Sequence, residues 1–180
     1  ETLNGQIQIH KHMKMINNKD ITYEDQYISE ILERSKTIAM VGLSSSWHRP
    51  SYFVAKYLID RGYKVFPVNP REVGKTILNQ KVYSNISEIE ESIDIVDIFR
   101  KSSEVDLIID DIIKIKPSTI WLQIGIINLN AEKLAKKNKI NIIMNRCPKI
   151  EYSRLSGELG WAGINSGLFY NKRKFIRPIY

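Results

Sequence analysis

The chain has 180 residues, of which 43% are hydrophobic and 26% charged, and its formal net charge is +7. This length and composition predict one globular domain with small extensions. A single cysteine excludes a disulfide scaffold and a Cys₄ or Cys₂His₂ zinc site within one chain, and we predict no metal site. No apolar run approaches the length of a membrane span, so we expect a cytoplasmic protein without a membrane partner.

The first residues stand apart from the rest of the chain. Residues 1–21 are polar and lack periodicity, and we interpret them as a disordered segment or a remnant of cloning, with Met13 or Met15 as candidate native starts. Residues 22–25 then match a helix capping box, which predicts a short amphipathic helix ending near Arg34.

Strand and helix patterns alternate between about residues 36 and 147. Short apolar runs predict five strands, at residues 37–41, 64–68, 94–99, 119–123 and 141–144. Because helices are predicted between them, we expect right-handed βαβ crossovers. The predicted fold is a Rossmann-like α/β domain, with a doubly wound parallel five-stranded sheet and helices on both faces.

The predicted helices follow from starts, stops and apolar faces. The first opens at Pro50, stops at Gly62 and has an apolar face made of Phe53, Val54, Tyr57 and Leu58. A second capping box at residues 87–90 begins a short helix, and residues 105–113 follow a period of 3.6. A further helix is predicted behind Asn130.

We place the folded domain at residues 22–152 and a C-terminal extension at residues 153–180. The extension contains four glycines together with Trp161, Phe169 and Tyr170. Since aromatic side chains gain free energy by burial, we expect the extension to pack on the domain.

The loop after the first predicted strand is the first candidate site. Ligands of doubly wound sheets bind beyond the carboxyl ends of the strands, where strand order reverses. This loop, residues 42–51, offers a glycine for a tight turn, hydroxyl and guanidinium donors, and a helix start that favours anions. We predict phosphate contacts from Gly42, Ser44, Ser45, Arg49 and Ser51. The alternative is that the glycine and serines only form a turn.

The residues after the second predicted strand narrow the type of phosphate ligand. The fingerprint G-x-G-x-x-G is absent, because Gly42 stands alone in its loop. The second strand is followed by no acidic residue for a ribose hydroxyl but by Asn69, Pro70 and Arg71, with Lys75 beyond them. These basic residues favour a ligand with an extra phosphate near the ribose, which describes both NADP and coenzyme A.

Other chemically active residues carry weaker signals. His48 beside the loop could titrate against a bound anion, although a solvated histidine is the simpler interpretation. Cys147 ends the fifth predicted strand and is interpreted as a buried structural thiol. Asp94 and Asp97 are interpreted as packing or solvation at the ends of a strand. With no Ser-His-Asp or Cys-His pair to place, we predict no catalytic residue. The positive charge is diffuse, which argues against nucleic acid as a partner.

Seven short segments, taken in order, resemble a known family. They are Ile38-Ala-Met-Val-Gly-Leu-Ser44, Arg49-Pro-Ser-Tyr52, Tyr63-Lys-Val-Phe-Pro-Val-Asn-Pro70, Gly74-Lys-Thr-Ile-Leu-Asn-Gln80, Val96-Asp-Ile-Phe-Arg100, Trp121-Leu-Gln-Ile-Gly125 and Asn145-Arg-Cys-Pro148. The set is similar to the small stand-alone CoA-binding proteins, relatives of the N-terminal Rossmann domain of the succinyl-CoA synthetase α-subunit. It departs from them at Asn145, where Asp is expected, and in its longer tail.

The resemblance implies coenzyme A as the ligand, with the 42–51 loop on the pyrophosphate. It further implies that the adenosine end of the ligand contacts Asn69, Pro70 and Arg71. It also implies that the pantetheine arm contacts Phe99, Arg100, Gln123 and Gly125. We therefore expect a protein that binds CoA or acyl-CoA without catalysis of its own. The alternatives are an NADP-type oxidoreductase and a CoA-ligase-related subunit that needs a partner chain; a homo-oligomer or another protein partner stays open.

Overall fold

The computed structural model describes residues 13–17 and 20–157. The first elements in chain order are β1 (Met13–Asn17), β2 (Asp20–Tyr23) and α1 (Asp25–Arg34). β1 and β2 pair as an antiparallel hairpin, part of which lies within residues 1–21, where the sequence indicates no strand. The hairpin is attached to the domain through the buried side chain of Ile21 and through Tyr23, whose hydroxyl oxygen accepts a backbone hydrogen bond of 2.7 Å beyond the last strand.

The following elements alternate between strand and helix as the sequence predicts. They are β3 (Thr37–Val41), α2 (Pro50–Asp60), β4 (Lys64–Val68), β5 (Thr76–Ile77), β6 (Gln80–Lys81), β7 (Ile95–Ile98), α3 (Ser102–Lys114), β8 (Thr119–Leu122), α4 (Leu129–Lys137), β9 (Asn141–Ile143) and α5 (Pro148–Leu155). The connection from β4 to β7 holds the small β5–β6 hairpin and two 3₁₀ helices, Pro70–Glu72 and Ile86–Glu88.

Five parallel strands form one sheet in the order β4-β3-β7-β8-β9. The chain moves outward from β3 to β4, then crosses back to β7 and continues in the opposite direction. The strand order therefore reverses between β3 and β7, which is the position where doubly wound sheets bind ligands. The predicted fold is confirmed.

Helices cover both faces of this sheet. On one face, Leu32 of α1, Leu58 of α2 and Tyr152 of α5 belong to the same buried cluster as Met40 and Trp121. On the other face, α3 and α4 pack against the alternate residues of the strands. Burial on both faces explains why the strands are continuous apolar runs in the sequence. Within the described residues, none of the helices combines the length and apolarity needed to cross a bilayer.

Three helix starts differ from the predicted ones. Thr22 pairs within the β1–β2 hairpin, and the residue at the N-cap of α1 is Glu24. The second 3₁₀ helix is capped by Asn85, whose Oδ1 accepts a backbone N–H at 3.1 Å, and not by a capping box at residues 87–90. α4 is capped by Asn128 in place of Asn130, because the Asn128 Oδ1 accepts a backbone N–H at 2.7 Å. Each real cap lies within three residues of the predicted one.

The buried face of α2 is narrower than predicted. Val54 and Leu58 are buried as expected, and Ala55 is buried beside them. Phe53 is 47% exposed, so its assignment to the apolar face is wrong. The helix begins at Pro50 and is followed by a glycine at φ +89°, as predicted.

The predicted C-terminal extension begins inside α5, which ends at Leu155. Residues 158–180, with Trp161, Phe169 and Tyr170, lie outside the described residues. Their packing on the domain stays a prediction, as do the domain limits at residues 22 and 152.

Candidate ligand-binding site

The ends of β3, β4 and β7 meet at Gly42. Its backbone N–H donates to the Val68 carbonyl oxygen at 2.8 Å, and its φ is +87°. A Cβ at this position would lie 2.7 Å from the Phe99 carbonyl oxygen and 3.1 Å from Nε of Arg100. Only glycine fits such a close approach in this conformation. The structure thus brings together three residues that the sequence predicts as ligand contacts, and it does so at the switch point.

The loop after β3 is ordered by its own hydroxyl groups. The Ser51 hydroxyl oxygen accepts the backbone N–H of Ser44 at 3.2 Å, and Ser44 Oγ in turn accepts the backbone N–H of Ser46 at 3.2 Å. Ser51 is buried, so its side chain supports the loop from below. Arg49 immediately precedes α2 and is exposed, at the positive end of the helix.

A carboxylate that the sequence did not single out joins this loop to the one after β4. Glu72 Oε2 accepts from the Ser45 hydroxyl at 2.9 Å and from the Lys75 ammonium at 2.7 Å. The Lys75 and Ser45 hydrogen bonds lower the pKa of Glu72, because they stabilise its ionised form. Two predicted ligand contacts are therefore engaged with Glu72. The signal that could have revealed it is an acid between the basic residues Arg71 and Lys75.

Asn69 connects the same two loops from inside the protein. Its side chain is buried, Nδ2 donates to the Leu43 carbonyl oxygen at 2.9 Å, and Oδ1 accepts the Arg71 backbone N–H at 3.1 Å. Asn69 thus joins the loops after β3 and β4, while Pro70 and Arg71 are exposed on the following 3₁₀ helix. We call the region at the carboxyl ends of the strands, from Gly42 to Gly125, the crevice.

We expect Asn69→Ala to lower the free energy of unfolding by about 1–3 kcal/mol, because a buried carbonyl loses its donor. Asn138→Ala is the matched control: Asn138 Nδ2 also donates to a backbone carbonyl, that of Leu134 at 2.8 Å, but it is exposed. Asn138→Ala should lower the free energy of unfolding by at most about 0.5 kcal/mol. Urea unfolding of both variants measures the difference, and equal losses would show that Asn69 is not holding the loops.

A cavity of about 450 Å³ opens beside the switch point, between the ends of β3 and β4 and helix α3. Its walls are mainly apolar, with Val41, Ile86, Leu107 and Ile108 among them, and its charged lining residues are Arg100, Glu104 and Asp111. Leu107 is 80% exposed, whereas Val105, Ile109 and Ile112 of the same helix are buried. A cavity of this size and lining suits a small molecule. The helical period in the sequence predicts which residues of α3 are buried, but it does not predict an exposed leucine beside a cavity.

Gln123 and Gly125 lie farther along the carboxyl edge of the sheet. Gln123 Nε2 donates to Asp97 Oδ1 at 2.5 Å, and the Gly125 backbone N–H donates to Asn145 Oδ1 at 2.8 Å. Asn145, where the resemblance would place an aspartate, therefore supports this loop as an acceptor. Burial raises the pKa of Asp97 to about 7, against the opposing effect of the Gln123 hydrogen bond.

The interpretation of Asp97 as an end-of-strand residue is wrong, since it lies within β7 and is fully buried. Asp94 does brace the other end of the sheet, where its carboxylate accepts the Lys36 backbone N–H at 2.7 Å. Cys147 is buried as predicted, and burial raises the pKa of its thiol. His48 is exposed and contacts the ring of Trp47.

Comparison with known proteins places the chain in a family. The model of the CoA binding domain family matches residues 36–153. The chain belongs to the CoA binding domain family. Its relatives include the Bacillus subtilis protein YneT, 36% identical over 126 residues, which are 70% of this chain and 92% of YneT. A Thermus thermophilus protein of solved structure is 33% identical, with a TM-score of 0.71 over 73% of this chain and 98% of that one.

The CoA binding domain also shares its fold with part of a larger enzyme. An acetyl-coenzyme A synthetase from Ca. Korarchaeum cryptofilum has a TM-score of 0.56 at 23% identity, over 64% of this chain and 27% of the synthetase chain. Identity this low establishes the common fold and nothing about activity. The family match covers the whole crevice, from Gly42 to Gly125, together with the cavity and Glu72.

Proposed function

We propose that this CoA binding domain binds coenzyme A or an acyl-CoA across the switch point, and that it acts as a binding protein with no catalytic group of its own. The observation that carries the proposal is the approach of Gly42 to Phe99 and Arg100, beside a mainly apolar cavity. The absent Cβ lets the ends of β3 and β7 approach each other at the switch point, and the cavity adds an apolar compartment beside them.

The pyrophosphate is assigned to the loop that leads into α2. The N-terminal end of α2 attracts negative charge, and Arg49 stands exposed beside it. The hydrogen bonds of Ser44 and Ser51 fix the course of this loop before a ligand arrives. A preformed loop loses less conformational freedom on binding.

The adenosine end is assigned to the cavity. A planar base suits the apolar walls formed by Val41, Ile86 and Ile108, and Pro70 at the rim connects them to Arg71. An exposed guanidinium in this place can form charge-assisted hydrogen bonds with a phosphate on the ribose. From the pyrophosphate, the pantetheine arm then runs past Phe99 and Arg100 toward Gln123 and Gly125.

NADP is the second candidate, and it is favoured by the same feature, the basic Arg71 and Lys75 beyond β4. A 2′-phosphate and a 3′-phosphate present similar charge to these side chains. The two ligands differ at the pyrophosphate, because a dinucleotide normally requires the second and third glycines of the fingerprint, which the 42–51 loop lacks. A ligase-related subunit would bind CoA in the same crevice and differ only in needing a partner chain.

Two arginine variants separate the ends of the ligand. Arg49→Ala should weaken CoA and 3′-dephospho-CoA equally, by about ten- to a hundredfold, since both ligands carry the pyrophosphate. Arg71→Ala should weaken CoA by a similar factor and leave dephospho-CoA nearly unchanged. Calorimetric titration of both ligands against both variants measures the double difference.

Arg34→Ala is the matched control, because Arg34 is exposed at the end of α1, away from the crevice. It removes one positive charge and should leave both affinities unchanged. If Arg71→Ala weakens both ligands by one factor, Arg71 does not contact the 3′-phosphate, and the assignment of the adenosine end is wrong.

A further inference from the structure

A buried carboxyl group touches the polar side chain at the far end of the crevice. Asp97 lies on the same face of β7 as Ile95 and is fully buried. One of its oxygens accepts the Gln123 Nε2 hydrogen bond, and among the residues that the structure describes the other, Oδ2, has no hydrogen-bond partner. An unpaired buried oxygen costs free energy, so its retention calls for an explanation.

The backbone around Gln123 is fixed on both sides. Its carbonyl oxygen accepts the Ile126 N–H at 2.9 Å, and Gly125 is held by Asn145. Gln123 itself is half-buried, with Nε2 directed at the buried Asp97, so part of this residue is exposed at the carboxyl edge of the sheet. A half-turn of the carboxamide exchanges the positions of its oxygen and nitrogen at Asp97.

The proton on Asp97 decides between these two orientations. An ionised carboxylate only accepts hydrogen bonds, so it holds Nε2 inward and leaves Oε1, an acceptor, facing the crevice. A protonated carboxyl group can donate to Oε1, which turns Nε2, a donor, outward. One buried proton therefore exchanges an acceptor for a donor at the surface.

We propose that Asp97 is a positioning residue that sets, through Gln123, which group of the ligand the crevice binds: an amide N–H when Asp97 is ionised and a carbonyl oxygen when it is protonated. The proposal rests on the proposed function, because it takes the pantetheine arm as the ligand group near Gln123. The amides of that arm offer N–H donors and carbonyl acceptors, whereas an acyl thioester adds only a carbonyl.

The surroundings of Asp97 keep both forms accessible near neutral pH. Burial raises its pKa to about 7. The neighbouring strands place Met40 and Trp121 at the paired positions, and these carry no titrating charge. Among the residues that the structure describes, Cys147, beyond β9, is a titratable group that interacts with Asp97. Burial is the largest cause that raises its thiol pKa, and the Asp97 charge raises it further. The thiol is therefore neutral while Asp97 titrates.

The test compares wild type with Asp97→Asn, whose amide is neutral at every pH and permits both orientations of Gln123. We expect the ratio of their CoA dissociation constants, variant over wild type, to change about three- to tenfold between pH 5.5 and pH 8, with a midpoint near 7, because only the wild-type protein exchanges the group that Gln123 presents. Titration of the ligand itself cancels in this ratio. Adenosine 3′,5′-bisphosphate, which lacks pantetheine, should give a ratio that does not change with pH.

A ratio for CoA that is independent of pH would overturn the proposal, and so would the same dependence for the bisphosphate, since that would place the effect of Asp97 on the whole crevice. If Asp97→Asn fails to fold, Gln123→Leu replaces it, because it removes the carboxamide and should give a ratio that changes over the same pH range for CoA alone. Failure of the wild-type protein to bind CoA at any pH is a separate outcome that removes the proposed function as well.

Discussion

Gly42→Ala should be among the most destabilising single substitutions in this domain, with a loss of about 3 kcal/mol or more in the free energy of unfolding. Alanine at φ +87° is strained, and its Cβ would lie 2.7 Å from the Phe99 carbonyl oxygen. That carbonyl cannot move aside easily, because the Phe99 N–H is bonded to Val41 at 2.8 Å in the sheet. For a chain of this length, the midpoint of thermal unfolding should fall by roughly 10 °C.

Gly74→Ala supplies a control with the same backbone conformation. Gly74 also has a φ of +87°, but no atom lies within 4 Å of the position its Cβ would take. Gly74→Ala should lower the free energy of unfolding only through backbone strain, by about 1–2 kcal/mol. Equal losses at the two positions would show that the close approach at the switch point is relieved by movement. The interpretation of Gly42 as a forced contact between strand ends would then be wrong.

Asp97→Asn should change how the stability of the protein depends on pH. The pKa of Asp97 rises from an ordinary value of 3.8 to about 7 in the folded protein, mainly through burial. The folded state therefore binds a proton more tightly than the unfolded state does. This proton contributes its full stabilisation of the folded state below the unfolded pKa, and the stabilisation is lost as the pH rises through 7. The full difference corresponds to about 4 kcal/mol.

The variant has no such proton, so its stability relative to wild type should rise steadily between about pH 4 and pH 7 and then level off. Urea unfolding across this range measures the slope. Asp110→Asn, at an exposed position of α3, removes the same negative charge from the surface and separates charge loss from burial. Parallel pH profiles for wild type and Asp97→Asn would show that Asp97 is ionised in the folded state at all these pH values.

The sheet could be predicted from the sequence because each strand is buried on both faces. Residues 119–122 form an uninterrupted buried run, and the alternation with helices then leaves few possible topologies. Gly42 could be predicted for a different reason: a glycine directly after the first strand of such a sheet allows the tight turn at the ligand site. The positions of these features follow from local pattern.

The interior of the site depends on contacts that leave no local pattern. Asn69 bonds a backbone carbonyl 26 positions away, and a carbonyl is present at every residue. The place of Glu72 depends on how the 3₁₀ helix packs against the loop of Ser45. Aspartate is usually exposed, so the burial of Asp97 could be predicted only once β3 and β8 were placed on either side of it.

Calorimetric titration of the purified full chain with CoA, NADP and NAD tests the proposed ligand most directly. We expect saturable binding of one CoA per crevice, with NADP and NAD binding at least tenfold more weakly, because the Gly42 loop lacks the other two fingerprint glycines. CoA at about 100 times its dissociation constant should also raise the free energy of unfolding by about 2.7 kcal/mol. Tighter binding of NADP than of CoA, or no binding of CoA, would contradict the assignment of this crevice to coenzyme A.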